Sequence, residues 1–99
     1  VVALSEDDEI VVHLERERRA VVKFSVQYRA RIRGEWRAIV RFDTAHRHAH
    51  QDVSYPDGTQ ETRELEIDDY GVALTYALRD VKARWESYRN RYERWQDGA

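Results

Sequence analysis

From Val22 to Ile32 apolar and polar residues alternate without a break. Val22, Phe24, Val26, Tyr28, Ala30 and Ile32 take one side of an extended chain, and Lys23, Ser25, Gln27, Arg29, Arg31 and Arg33 follow on the other. A period of two is the pattern of a strand buried on one face. Trp36, Ala38, Val40 and Phe42 continue it, opposite Arg37, Ile39, Arg41 and Asp43. Residues directly opposite in antiparallel strands point the same way. Keeping the apolar groups together pairs Ile32 with Trp36, Ala30 with Ala38, Tyr28 with Val40 and Val26 with Phe42. A one-residue slip would turn arginines inward. This register predicts a three-residue loop, Arg33-Gly34-Glu35. The same reasoning pairs Leu14 with Val22 and Val12 with Phe24, and makes His13 an ordinary strand residue opposite Lys23.

A shorter strand is expected from Ala49 to Tyr55. Pro56-Asp57-Gly58-Thr59 is a turn signal, because Pro presets φ and Gly tolerates positive φ. Thr62 to Ile67 can return as an edge strand. Asp68 or Asp69 can then cap a helix. Tyr70, Leu74, Ala77, Leu78, Val81, Trp85, Tyr88, Tyr92 and Trp95 recur at helical spacing, and Gly98 lies just past the end. The fold class is therefore α+β: one domain over residues 1–99, with an antiparallel sheet of three to five strands and one long C-terminal helix across its apolar face. A helix of about 28 residues spans roughly 42 Å, against a radius of gyration of about 13 Å for a domain of this size. Its second half is expected to overhang the sheet, and its aromatics to form a homodimer surface.

No apolar run approaches a membrane span, and no signal-peptide pattern opens the chain. The absence of cysteine excludes disulfides and thiolate chemistry and fits a cytoplasmic protein. The chain opens on Val1 and lacks methionine, so a missing true start is expected. Arginine outnumbers lysine fifteen to two, a bias that either a hot habitat or genomic base composition would produce. Net charge is -2, but in blocks: -5 over residues 1–15, +7 over 16–47, -6 over 48–69 and +2 over 70–99. A general nucleic-acid coat is disfavoured, while a local basic face is allowed. Lys23, Arg29, Arg31 and Arg37 would line that face, able to track an RNA backbone or to serve as a solvated face that resists aggregation.

Three of four histidines fall between His46 and His50, flanked by Arg41, Asp43, Arg47 and Asp52. On an extended strand His46, His48 and His50 would share one face. Two imidazoles with Asp43 or Asp52 have metal-ligand chemistry. The His-x-His spacing is unspecific, however, and no second ligand cluster or zinc motif accompanies it. No tightly bound metal and no cofactor are therefore expected. Acid–base chemistry is the competing use. Phosphodiester cleavage needs a base, an acid and positive charge near the phosphate. His46 and His50 can supply the pair, Asp43 can orient an imidazole, and Arg41 can hold phosphate. Equally, Asp43 can simply accept backbone N–H groups in a turn.

Arg41-Phe42-Asp43, His46, His50, Asp52, Pro56-Asp57-Gly58, Trp85 and Tyr88 resemble the pattern of a small, poorly characterised prokaryotic family. More remotely, the segment looks like TumE-type toxins of toxin–antitoxin modules, which place His-rich turns after an Arg-x-Asp strand. That resemblance implies a toxin-like activity and an antitoxin protein as partner. Combined with the acid–base groups, it makes a metal-independent ribonuclease the leading expectation. A non-catalytic dimeric interaction domain and a small metal-binding protein are the alternatives.

Overall fold

The computed structural model describes residues 1–98, with His46 described by its backbone alone. Six antiparallel strands run in sequence order: β1 (Val2–Ser5), β2 (Asp8–Glu17), β3 (Ala20–Ile32), β4 (Glu35–Asp43), β5 (His50–Ser54) and β6 (Gln60–Glu64). A 3-10 turn, Ala45–Arg47, joins β4 to β5, and α1 (Tyr70–Gly98) closes the chain. The expected α+β architecture is present, with more strands than the three to five expected. The additional strand β1 is too short, at four residues, to show a period.

The helix covers the apolar side of the sheet. Ile10, Phe24, Val26, Tyr28, Ala30, Ile32, Val40 and Phe42 meet Ala73, Leu74, Ala77 and Val81 in one core. Asp69 caps α1: its Oδ1 accepts the Val72 N–H at 2.9 Å. Tyr70 packs edge-on against Phe24, Tyr76 against Phe42, and Trp85 tilts against Tyr28.

The central hairpin departs from the expected register. Val26 does pair with Phe42 and Tyr28 with Val40, but Arg29 then faces Ala38, Arg31 faces Trp36 and Ile32 faces Glu35. Ile39 is an extra residue in a β-bulge, so Ile39 and Val40 are both buried. Strict alternation would have exposed Ile39, and burying such a side chain is worth about 1.5–3 kcal/mol. The loop is also tighter than expected. Arg33 and Gly34 alone turn the chain, both at positive φ (52° and 83°), the two-residue geometry whose twist suits a hairpin. Trp36 thus moves to the outer face, away from the helix. Arg37, opposite Ala30, moves to the helix side and pairs with Glu35.

In β2–β3, Leu14 pairs with Phe24, Val12 with Val26 and His13 with Ser25, instead of the expected partners. A bulge beside Glu15 and a tight turn at Arg18 (φ 57°) set this register. It differs from the expectation by two residues, so every side chain keeps its face.

The helix does not overhang. Its far end meets its own sheet through Arg33–Asp97 at 2.8 Å and Tyr55–Trp95 at 5.5 Å between rings. Arg89 is the main clasp. Its guanidinium donates to Asp8 at 2.9 Å and to the Arg31 carbonyl at 3.1 Å. Asp8 also accepts from Tyr28 at 2.6 Å and from Ser5 at 2.5 Å. Burial alone would raise the Asp8 carboxyl. The Ser5, Tyr28 and Arg89 hydrogen bonds outweigh it and hold the group below its ordinary value.

Candidate functional site

The histidine segment folds as a turn, not as a strand with three imidazoles on one face. Thr44 fixes its start on β3: Thr44 N–H donates to the Phe24 carbonyl at 3.2 Å, and Thr44 Oγ1 accepts the Phe24 N–H at 3.1 Å. His46 then falls in the 3-10 turn, and its side chain lies outside the described residues. His48 is exposed before β5, and His50 opens that strand. Antiparallel pairing sets His50 opposite Asp43 and Asp52 opposite Arg41, all on the face away from the helix.

These groups form a compact polar network. Asp43 Oδ1 accepts the Ala45 N–H at 3.1 Å and lies 2.9 Å from His50 Nε2, while its Oδ2 lies 2.7 Å from Arg41 Nε. The turn-capping role and the functional contacts therefore coexist on one carboxylate. Asp52 Oδ2 lies 3.5 Å from the same Nε2, while its Oδ1 accepts the Thr62 hydroxyl at 2.6 Å. On the other side of the ring, Nδ1 lies 3.2 Å from the His48 carbonyl. A carbonyl only accepts, so this contact assigns a hydrogen to Nδ1. Side-chain exposure is 9% for Asp43, 13% for His50 and 19% for Asp52. Both ring nitrogens of His50 face protein oxygens.

Asp43 and Arg41 also border a groove of about 190 Å³ across β2, β3 and β4, lined as well by His13, Glu15, Lys23 and Ser25. His13, Ser25, Asp43 and His50 occupy one row across four strands. Sequence reasoning missed His13 and Ser25 because they join the site only through pairing register. The basic stripe is more compensated than its sequence suggests. Arg29 lies 3.7 Å from Glu9 and Arg31 2.5 Å from Asp7, and both guanidiniums sit over the Trp36 ring. Lys23 faces Glu15 across the strand pair and opens on the groove. Arg37 is on the opposite face. Lys23 and Arg41 are the cations the structure brings to the candidate site.

From below, Gln51 locks β5 to the helix. Its amide donates to the Tyr88 hydroxyl at 3.1 Å, and Tyr88 in turn donates to Asp80. Burial, together with the Asp80 carboxylate, pushes the Tyr88 hydroxyl up to about 12. Gln51 lies between His50 and Asp52, so this contact fixes the strand that presents both.

No described helix is long and apolar enough to cross a membrane. Comparison with curated proteins and with solved structures finds no match. Residues 1–98 match the model of a domain of unknown function, DUF7718, and the chain belongs to that family.

Proposed function

We propose that this DUF7718 chain is a toxin-like protein directed at RNA, acting on the phosphodiester at the groove beside Asp43. The observation that supports it is the Arg41–Asp43–His50 network set at the edge of a groove shared with Lys23, Ser25 and His13. Arg41 and Lys23 supply positive charge for one phosphate. A guanidinium has donors beyond the one given to Asp43, and the Arg41 side chain is 51% exposed. Because Arg29 and Arg31 are compensated by Glu9 and Asp7, recognition is local and does not track a long backbone. In this reading His50 lies against Asp43, and its pairing with His46 as acid and base is checked by the loss of activity expected in His46→Ala and His50→Ala. The remote likeness to TumE-type toxins supplies the cellular role and implies an antitoxin protein as partner.

The test uses fluorescence anisotropy with a short single-stranded RNA, beside a growth assay on induced expression. Wild type binds and slows growth, and the double variant Lys23→Gln/Arg41→Gln loses both. A salt slope of about two phosphates is expected, since each neutralised phosphate contributes roughly 0.7 for single strands. Wild type that neither binds RNA nor slows growth overturns the proposal.

A second reading, a non-catalytic homodimeric interaction domain, draws on different helix residues from those first expected. Of the aromatics first expected, Trp85, Tyr88 and Tyr92 pack within their own chain and Trp95 stays 42% exposed, while Val72 and Tyr76 are 56% and 38% exposed, one turn apart near the helix start. Light scattering of wild type and Val72→Asp distinguishes it: a dimer abolished by the substitution supports the second reading.

A further inference from the structure

We infer that Asp43, His50 and Asp52 form a binding site for a divalent first-row cation, Mn²⁺ or Zn²⁺, independent of whether RNA is the substrate. Sequence reasoning grouped two imidazoles with Asp43 or Asp52 and expected no tightly bound metal. The fold brings His50 alone between two aspartates, Asp43 on β4 and Asp52 on β5.

Three features carry this. First, one donor atom from each residue lies within 4.8 Å of the others. His50 Nε2 is 2.9 Å from Asp43 Oδ1 and 3.5 Å from Asp52 Oδ2. Bonds of about 2.0–2.2 Å in a tetrahedral site place ligand atoms roughly 3.3–3.6 Å apart, so the Asp52 spacing fits an ion and the Asp43 spacing has to open by about 0.4 Å to admit one. Second, the outward oxygens of both carboxylates are occupied: Asp43 Oδ2 by Arg41 Nε at 2.7 Å, Asp52 Oδ1 by the Thr62 hydroxyl at 2.6 Å. Asp43 Oδ1, which also accepts the Ala45 N–H at 3.1 Å, and Asp52 Oδ2 are the carboxylate oxygens nearest the same ring nitrogen. Third, His50 Nδ1 gives its hydrogen to the His48 carbonyl. That contact fixes the ring orientation and leaves Nε2 as the ligating nitrogen, the arrangement that metal-bound histidines favour.

The donor set of one imidazole and two carboxylates spans the preferences of Zn²⁺ and Mn²⁺. Three protein ligands leave coordination positions open, as in catalytic rather than structural sites. A cation there would lie beside Arg41 at the groove edge, able to polarise a phosphoryl oxygen.

The test is calorimetric titration of tag-free, chelator-stripped protein with MnCl₂ and with ZnCl₂, in the absence of RNA. Wild type is expected to bind one equivalent, and Asp52→Asn to bind at least tenfold more weakly with its circular dichroism unchanged. Exposed His48 is the control for adventitious binding, and His48→Gln should bind like wild type. A readout on wild type alone avoids any folding defect: ¹⁵N shifts of the histidine rings during titration should move at His50 Nε2 and stay constant at His13. Absence of saturable binding for both ions overturns the inference, as does binding that moves His48 or His13 and leaves His50 unchanged. These outcomes leave the RNA proposal untouched, because its own test is RNA binding and growth.

Discussion

His50 Nε2 and Asp43 Oδ1 stand 2.9 Å apart across β4 and β5, with Arg41 Nε on the far oxygen of the same carboxylate. Asp43 is therefore the hub that joins the turn, the strand pair and the groove. Its removal leaves the Ala45 N–H without its acceptor and takes the carboxylate away from Arg41 and His50. Loss of a buried hydrogen-bond partner costs about 1–3 kcal/mol, and Asp43→Ala is expected to fall in that range by urea denaturation. Asp43→Asn should lose less, because the amide oxygen can still accept from Ala45.

The Asp8–Arg89 clasp governs acid stability. Their side chains are 4% and 21% exposed, so removing one partner strands the other. Asp8→Ala is expected to cost about 3–5 kcal/mol, as for a broken buried pair. The folded-state value of Asp8 is depressed. Its contribution is thus fully present above the ordinary carboxylate value of about 3.9 and is lost as pH falls through the lower folded value. A denaturation series from pH 5 downward should show a weaker acid dependence in Asp8→Asn than in wild type.

Much of this architecture is legible in the sequence. The alternation from Val22 to Phe42 and the helical spacing from Tyr70 to Trp95 name the sheet, the helix and most of the side chains that meet in the core. Register is less legible, for a physical reason. Shifting a strand by two residues keeps every side chain on its face, so hydrophobic patterning cannot choose Leu14–Phe24 over Leu14–Val22. The bulge at Ile39 escapes a strict period of two and reverses Trp36 and Arg37. Arg41, Asp43 and His50 are visible as a cluster because they are close in the chain. His13 and Ser25 reach the site from other strands, and the partnership of Asp8 with Arg89 spans most of the chain.

The bulge itself is testable. Ile39→Ala is expected to cost about 2–5 kcal/mol, the range for truncating a buried isoleucine. Trp36→Ala, on the outer face at 38% exposure, should cost less than that. An unbulged hairpin would invert the order, and chemical denaturation of the two variants distinguishes the arrangements.

Tyr88→Phe removes the hydroxyl between Gln51 and Asp80. The expected loss is about 1–3 kcal/mol for the unsatisfied partners. Because the Tyr88 hydroxyl is raised to about 12, its contribution is complete below the unfolded value near 10 and fades as pH rises toward 12. Alkaline titration should therefore destabilise wild type more steeply than Tyr88→Phe over that interval.

RNA cleavage by tag-free protein measures the functional claim most directly. A labelled single-stranded RNA is incubated with chelator-stripped wild type, with and without Mn²⁺, and with Arg41→Gln. Wild type with Mn²⁺ is expected to cleave, and Arg41→Gln to be slower by about 10²–10³, the usual effect of losing one donor to a developing charge. Cleavage equally fast without any divalent ion would confine the metal site to a non-catalytic role and leave RNA as the substrate. An intact RNA after incubation with wild type under both conditions, or equal rates for wild type and Arg41→Gln, would contradict the assignment of this groove to phosphodiester chemistry.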